Sequence, residues 1–138
     1  MSRLSDIATA ISAQVETTLP AYSHERGEGS PYEGFLSLEQ VSPSDYPFAL
    51  VYNPVVTIDR GDERQSVETT AFSVILLRKK SEHLQLRQDV SDLIDAVSQS
   101  NGFADVVLDA WVSTADFDEA SDRWSAVGVI VSTTEEVV

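Results

Sequence analysis

Four acidic residues lie within seven positions, between two apolar runs that each contain a tryptophan: Asp116, Asp118, Glu119 and Asp122. Clustered carboxylates can bind calcium, or can act as acid and base in glycoside hydrolysis. An EF-hand calcium loop needs a third ligand and a glycine, and the sequence DFDEA lacks both. Paired catalytic carboxylates need a cleft that sets their separation, which a hairpin tip does not offer. We therefore interpret 116–122 as a solvated hairpin tip and expect no metal or cofactor.

The two histidines give little support for an active site. His24 lies in a polar segment and His83 near the start of a predicted helix, and no short spacing supplies the three or four ligands of a zinc site. The chain has no cysteine, no G-x-S-x-G motif and no phosphate-binding P-loop motif. Arg60-Gly61-Asp62 fits a hairpin turn better than an adhesion signal. A catalytic triad stays open, because triads assemble from distant positions.

Basic residues are concentrated at one predicted strand–helix junction. Arg78, Lys79, Lys80 and Arg87 are four of the nine bases and span ten positions. They could form a solvated helix start, although cations there oppose the helix dipole. They could instead form half of a subunit contact with an acidic turn of a neighbouring chain. The candidate acidic turns contain Asp59, Asp62 and Glu63, or Asp116, Asp118, Glu119 and Asp122.

The composition indicates one domain over residues 1–138. Hydrophobic residues make up 42% of the chain, which is enough for a core, and the net charge is −14. So acidic a chain repels phosphates, which argues against a role in gripping nucleic acid. No apolar run approaches the roughly 20 residues of a membrane span. The first residues are typical of a helix and not of a secretion signal, so we expect a soluble protein made in a cytoplasm.

Apolar spacing predicts two helices and a group of strands. A helix is expected from Leu4 to Leu19, stopped by Pro20, and a second over 81–100, stopped by Asn101-Gly102. Strands are expected at 48–58 (broken at Asn53-Pro54), 66–77, 104–112 and 123–133. A long connection at about 21–45, with at most a short strand at 35–41, is expected to be mobile. Because the strands are grouped, the sequence predicts an α+β fold with a largely antiparallel sheet packed by two helices.

The order of these elements is similar to that of a known family. The helix ending in TTLP, the segment YPFALVYNP, the strand SVETTAFSVILLRK, the helix LRQDVSDLIDAV and the closing pair VVLDAWVSTADF and RWSAVGVIVSTT follow one another. This layout resembles the tail terminator proteins of long-tailed bacteriophages, also called tail completion or neck proteins. The resemblance covers nearly the whole chain and lies in layout, not in a short motif.

The resemblance implies a structural virion protein and not an enzyme. Such proteins form a hexameric ring that caps the tail tube, stops its polymerisation and joins it to the head-side connector or head-closure protein. The genome passes through the ring without specific binding, in a virion assembled in the host cytoplasm. The alternatives are another neck component, a tail tube subunit, or a small acidic enzyme or ligand-binding module that uses His24, His83 and the 116–122 carboxylates. Two clear helices disfavour the tube subunit.

Overall fold

A twisted sheet forms the centre of the molecule. The computed structural model describes residues 3–27, 47–52, 55–56, 67–118 and 123–136. The strands are β1 (Ser23–Gly27), β2 (Phe48–Tyr52), β3 (Val55–Val56), β4 (Val67–Lys79), β5 (Asp109–Asp118) and β6 (Trp124–Glu136). They lie in the order β1-β2-β4-β6-β5, and β3 also pairs with β4. The β1–β2 pair is parallel and the other pairs are antiparallel, so the predicted α+β class is confirmed.

Two helices pack against one face of this sheet. They are α1 (Arg3–Thr18) and α2 (His83–Ser98), and a 3₁₀ turn (Lys80–Glu82) connects β4 to α2. Apolar spacing predicts a buried stripe on each helix, and most of it is buried: Ile7, Ile11 and Val15 on α1, and Leu86, Val90, Leu93 and Val97 on α2. Ile94, also predicted in the stripe of α2, is instead 37% exposed. Neither helix, nor any other in the part of the chain that the structure describes, is long and apolar enough to cross a membrane.

The long strand β4 separates two apolar clusters. Phe72, Val74 and Leu76 face the helices, as the alternation predicted, and belong to the main core. Ile75 and Leu77 point to the opposite face and join a second buried cluster with four more residues: Phe48, Leu50, Trp124 and Ala126. Because side chains alternate along a strand, even-numbered residues of β4 lie on the helix side. The same rule places Arg78 beneath α2.

After α2 the backbone makes an unusual turn within a short segment, Asn101–Asp105. Four consecutive residues, 101–104, have φ between 52° and 62°. Left-handed backbone costs roughly 1–2 kcal/mol for each residue with a Cβ atom. At Gly102 an added Cβ would lie 2.1 Å from the Val107 carbonyl oxygen, so only glycine fits. The predicted stop at Asn101-Gly102 is therefore a left-handed turn that leads into β5.

Two predictions about the strands are corrected. The first part of the expected 21–45 connection forms β1, which pairs with β2 from Ser23↔Phe48 to Gly27↔Tyr52; residues 28–46, including 35–41, lie outside the described ranges. The strand expected at 104–112 starts later and runs to Asp118. Asp116 and Asp118 pair with Gly128 and Ala126, so these two of the four acids predicted at a hairpin tip belong to the strand ladder. Glu119 and Asp122 lie outside the described residues.

β5 forms one edge of the sheet as described and is irregular. Its register against β6 shifts between Val112 and Thr114, which is a bulge or a similar irregularity at Ser113. The Ser113 hydroxyl lies 3.0 Å from that of Ser132 on β6. Asp109 and Asp116 are exposed along the same strand. These features interrupt the regular ladder that an edge strand would otherwise offer to another chain.

Candidate functional site

A buried polar network holds the strand–helix junction together. The Arg78 Nε donates hydrogen bonds to the Asp89 Oδ2 (2.6 Å) and to the Tyr22 hydroxyl oxygen (3.2 Å). The Tyr22 hydroxyl donates to the same Asp89 oxygen, and Gln85 Nε2 donates to Asp89 Oδ1 at 2.9 Å. Arg78 also bridges Glu82 across 3.3 Å. The network thus ties the segment after α1 to the end of β4 and the first turns of α2.

The electrostatics of this network favour a fixed protonation state. Burial, together with the hydrogen bond to Asp89, raises the pKa of the Tyr22 phenol far above its usual range. Burial alone would lower the pKa of the Arg78 guanidinium, but the interactions with Asp89 and Tyr22 together outweigh it and the pKa is raised. A neutral phenol and a charged guanidinium give no proton exchange near neutral pH. The arrangement therefore serves to position the junction and not to transfer protons.

This placement changes the role expected for Arg78. Its side chain is 11% exposed and that of Asp89 is 6% exposed, so the pair lies inside the fold. The sequence alone could not show that Arg78 is buried while Lys79 and Lys80 reach the surface, because neighbouring basic residues in a run have the same character. The alternation along β4 makes the distinction in the structure, since even positions face the helices and odd positions face away from them. We place Arg78 in the fold and not on a contact surface.

The remaining bases near the junction reach the surface. Lys79 is exposed on the sheet face opposite the helices, while Lys80 is half-buried at the start of the 3₁₀ turn. Arg87 is exposed on α2, and its guanidinium carbon lies 4.3 Å from the centre of the Phe117 ring on β5. This cation–π contact ties α2 to the end of β5.

The structure adds Arg123 to this group. The Lys80 backbone amide donates to the Arg123 carbonyl at 3.2 Å, and Lys79 and Trp124 are register partners. Five of the nine bases therefore lie at one end of the sheet. Arg123 is not among the predicted residues of the junction, because it is far along the chain from Lys80. The signal would have been the pairing of β4 with β6, which a sequence pattern does not fix.

The acidic candidates fall into two groups. Asp116 and Asp118 lie at the same end of the sheet as Lys79, but on the face turned away from the helices. The basic junction and these two acids are thus close together in one chain, which makes them a poor pair of separate surfaces for a contact between copies. The other acidic candidates lie outside the described residues: Glu119, Asp122, Asp59, Asp62 and Glu63.

The histidines are apart from any ligand set in the described structure. His24 Nε2 lies 2.9 Å from the Leu19 carbonyl oxygen. It borders an open groove of about 630 Å³ beside the end of α1, lined also by Glu16, Thr17 and Pro20. His83 is exposed at the start of α2. Across the ranges that the structure describes, no three His, Asp or Glu residues are placed to hold a metal ion together.

No protein-family model matches this sequence, and no curated protein matches it either.

Proposed function

We propose that this chain is a structural virion protein, a tail terminator of a long-tailed bacteriophage. The observation that carries the proposal is the layout: helix, strands, long strand, helix and closing strand pair, with both helices on one face of one sheet. This is the order in which the sequence segments resemble that family. The α+β fold agrees with the resemblance.

The charge of the chain supports the same role. With 23 acids against nine bases, each copy carries −14. A ring of such chains around a central channel would repel the phosphates of a passing genome, so DNA would slide without specific binding. The partners proposed are further copies of this chain, the tail tube protein below, and the connector or head-closure protein above.

A measurement of mass in solution tests the ring. Sedimentation velocity of the purified chain should give a hexamer, and negative-stain electron microscopy should show closed rings with a central hole. A species that stays monomeric over the whole accessible concentration range would overturn the proposal.

A second experiment tests the capping step. Adding the purified chain to polymerising tail tube subunits from the same genome should stop tube growth, and the chain should be found at one tube end. A chain that forms rings but leaves tube elongation unchanged would be another neck component and not a terminator.

A further inference from the structure

One face of the sheet is buried although no described helix or strand lies over it. Both helices pack on the other face. Side chains on an uncovered sheet face stay in contact with water, yet none of the six residues of the second cluster is more than 7% exposed. Another part of the same chain must therefore lie over this cluster, which consists of Phe48, Leu50, Ile75, Leu77, Trp124 and Ala126.

The cover is restricted to one end of that face. Leu77 of β4 is fully buried, whereas Ala71, on the same side of the same strand, is half-buried. On β6 the same contrast separates the buried Ala126 from the half-buried Ile130. The buried end is the one where β2 begins, since Phe48 pairs with Leu77.

Among the stretches outside the described residues, 28–46 leads directly to this end, because it joins β1 to the start of β2. The stretch 57–66 leaves β3 beside Thr70 and returns to the start of β4, so it extends at most about 18 Å from there. Leu77 is seven residues from Thr70, or about 23 Å along the strand. The stretch 119–122 is four residues long and starts two strands away from β2. Neither of these can cover the cluster.

The topology predicts the same face for this connection. The parallel neighbours β1 and β2 need a crossover, and so do the parallel strands β4 and β5, which are joined through α2. Both crossovers step across the sheet in the same direction, but β1 and β2 run antiparallel to β4 and β5. Crossovers are right-handed in about 98% of cases, and two of the same hand then lie on opposite faces. Because α2 lies on the helix side, the rule predicts the opposite face for 28–46.

The length and composition of this stretch suit such a course. A direct return from the end of β1 to the start of β2 spans the five residues of β1, about 17 Å. The 19 residues of 28–46 can span about 60 Å, which leaves ample chain to cross the neighbouring strands. The stretch contains six large apolar or aromatic residues: Tyr32, Phe35, Leu36, Leu38, Val41 and Tyr46.

We propose that residues 28–46 dock across the sheet face opposite the helices and cover the second cluster of their own chain. In that cluster the indole N–H of Trp124 is buried and has no hydrogen-bond partner in the described part of the chain. A buried donor needs an acceptor, which an oxygen of the docked segment would supply. The proposal does not depend on the proposed function. It is the opposite of the mobile connection that the sequence predicts, so one set of experiments decides between them.

Trp124 reports directly on the cover. The chain has two tryptophans, so Trp124 is the only one left in a Trp111→Phe background. Its emission there should be blue-shifted and poorly quenched by acrylamide. Adding F35S/L38S should shift the emission to the red and raise the quenching constant at least about twofold, because docking loses two apolar side chains. The matched control, L84S/L108S, changes two leucines that are 71% and 63% exposed and should leave Trp124 shielded. Circular dichroism checks that each variant is folded.

Three results would overturn the proposal. Trp124 that is readily quenched in the Trp111→Phe background means that the face is open. Trp124 that stays shielded in F35S/L38S means that another part of the chain covers it. Shielding that is lost on dilution means that the cover comes from a second copy. If F35S/L38S does not fold, hydrogen exchange of the unsubstituted chain decides: the amides of 35–41 should exchange more slowly than in an unstructured peptide, and free exchange would contradict docking.

Discussion

At the scale of single residues, Arg78 and Asp89 show that a charged side chain can be buried when it forms an ion pair inside the fold. Arg78 belongs to a basic run in the sequence, yet its side chain lies under α2 and bonds to two other elements. Removing one partner of a buried ion pair leaves the other charge unpaired and is strongly destabilising. The junction from β4 into α2 therefore depends on three side chains whose partners are far apart in the sequence.

The first prediction concerns Asp89 and its neighbour on the same helix. Asp89→Asn should lower the free energy of unfolding by about 3 kcal/mol, because Arg78 loses its buried counter-charge. Asp92→Asn is the matched control: Asp92 is exposed and accepts a hydrogen bond from Gln88, and its change should cost less than about 0.5 kcal/mol. Urea unfolding of both variants measures the difference. Equal losses would mean that the buried network contributes nothing to stability.

The second prediction concerns pH and Tyr22. Folding raises the pKa of this phenol above its unfolded value of about 10, so the unfolded chain releases the proton first as the pH rises. The stability that this group contributes is present in full below pH 10 and falls above it, by at most about 1.4 kcal/mol per pH unit. Tyr22→Phe should be less stable than wild type at neutral pH, and the gap should narrow above about pH 10. Urea unfolding at several alkaline pH values measures the gap; a constant gap would contradict the pKa shift.

At the scale of elements, the spacing of apolar residues predicted which faces of the helices and strands are buried. It did not predict which strands pair with each other. The helices, the strand β4 with its core face and the α+β class follow from apolar spacing, because burial selects one face. β1 has the sequence SHERG and shows no such spacing; its strand conformation comes from the parallel ladder to β2, which is a tertiary contact. The late start of β5 has a similar cause, since the left-handed turn uses residues that look apolar and β-forming.

The same limit applied to the candidate site. Sequence clustering brought Lys79, Lys80 and Arg87 together correctly at one junction, since they are close along the chain. It could not show that Arg78 is buried, because that depends on α2 packing over the helix side of β4. Nor could it show that Arg123 lies beside Lys80, because that depends on the register of β4 and β6. Register also moved Asp116 and Asp118 from a turn into a strand.

The third prediction concerns the left-handed turn. Gly102→Ala should lower the free energy of unfolding by about 2 kcal/mol or more, because its Cβ would collide with the Val107 carbonyl oxygen and φ is +62°. Ala104→Gly, two residues on, should instead leave stability unchanged or raise it by up to about 1 kcal/mol, since alanine is strained at φ 58°. Thermal unfolding of the two variants gives the signs. A loss for Ala104→Gly as large as that for Gly102→Ala would contradict the left-handed backbone.

At the scale of the whole molecule, the distribution of charge matters more than its sum. A chain of −14 repels its own copies, yet five of its nine bases lie together at one end of the sheet. Repulsion between whole copies acts over a long range, whereas attraction between oppositely charged side chains acts over a short range. Salt therefore affects the two differently.

The fourth prediction follows from that difference. Raising the salt from very low concentration to about 0.1 M, where the Debye length is about 10 Å, should strengthen association by screening the overall repulsion. Salt near 1 M should weaken it again, because attraction between the bases of the junction and the acids of a neighbouring copy is then screened as well. In K80E/R123E the second phase should be absent. Sedimentation velocity at fixed protein concentration measures both phases, and association that is independent of salt would show that charge does not govern assembly.

The irregular edge strand β5 affects how readily the protein aggregates at high concentration. A long outer strand is a template for amyloid-like fibrils when many copies are crowded together, and the register shift at Ser113 with the acids at Asp109 and Asp116 works against that growth. Many copies of the chain can therefore accumulate without pairing edge to edge into insoluble deposits. The variant Asp116→Val removes one of the acids of this edge strand and should form thioflavin-positive fibres sooner than wild type under agitation. The control Asp92→Val, on the exposed side of α2, should not. The irregular β5 of one copy is thus a poor partner for the β5 of another.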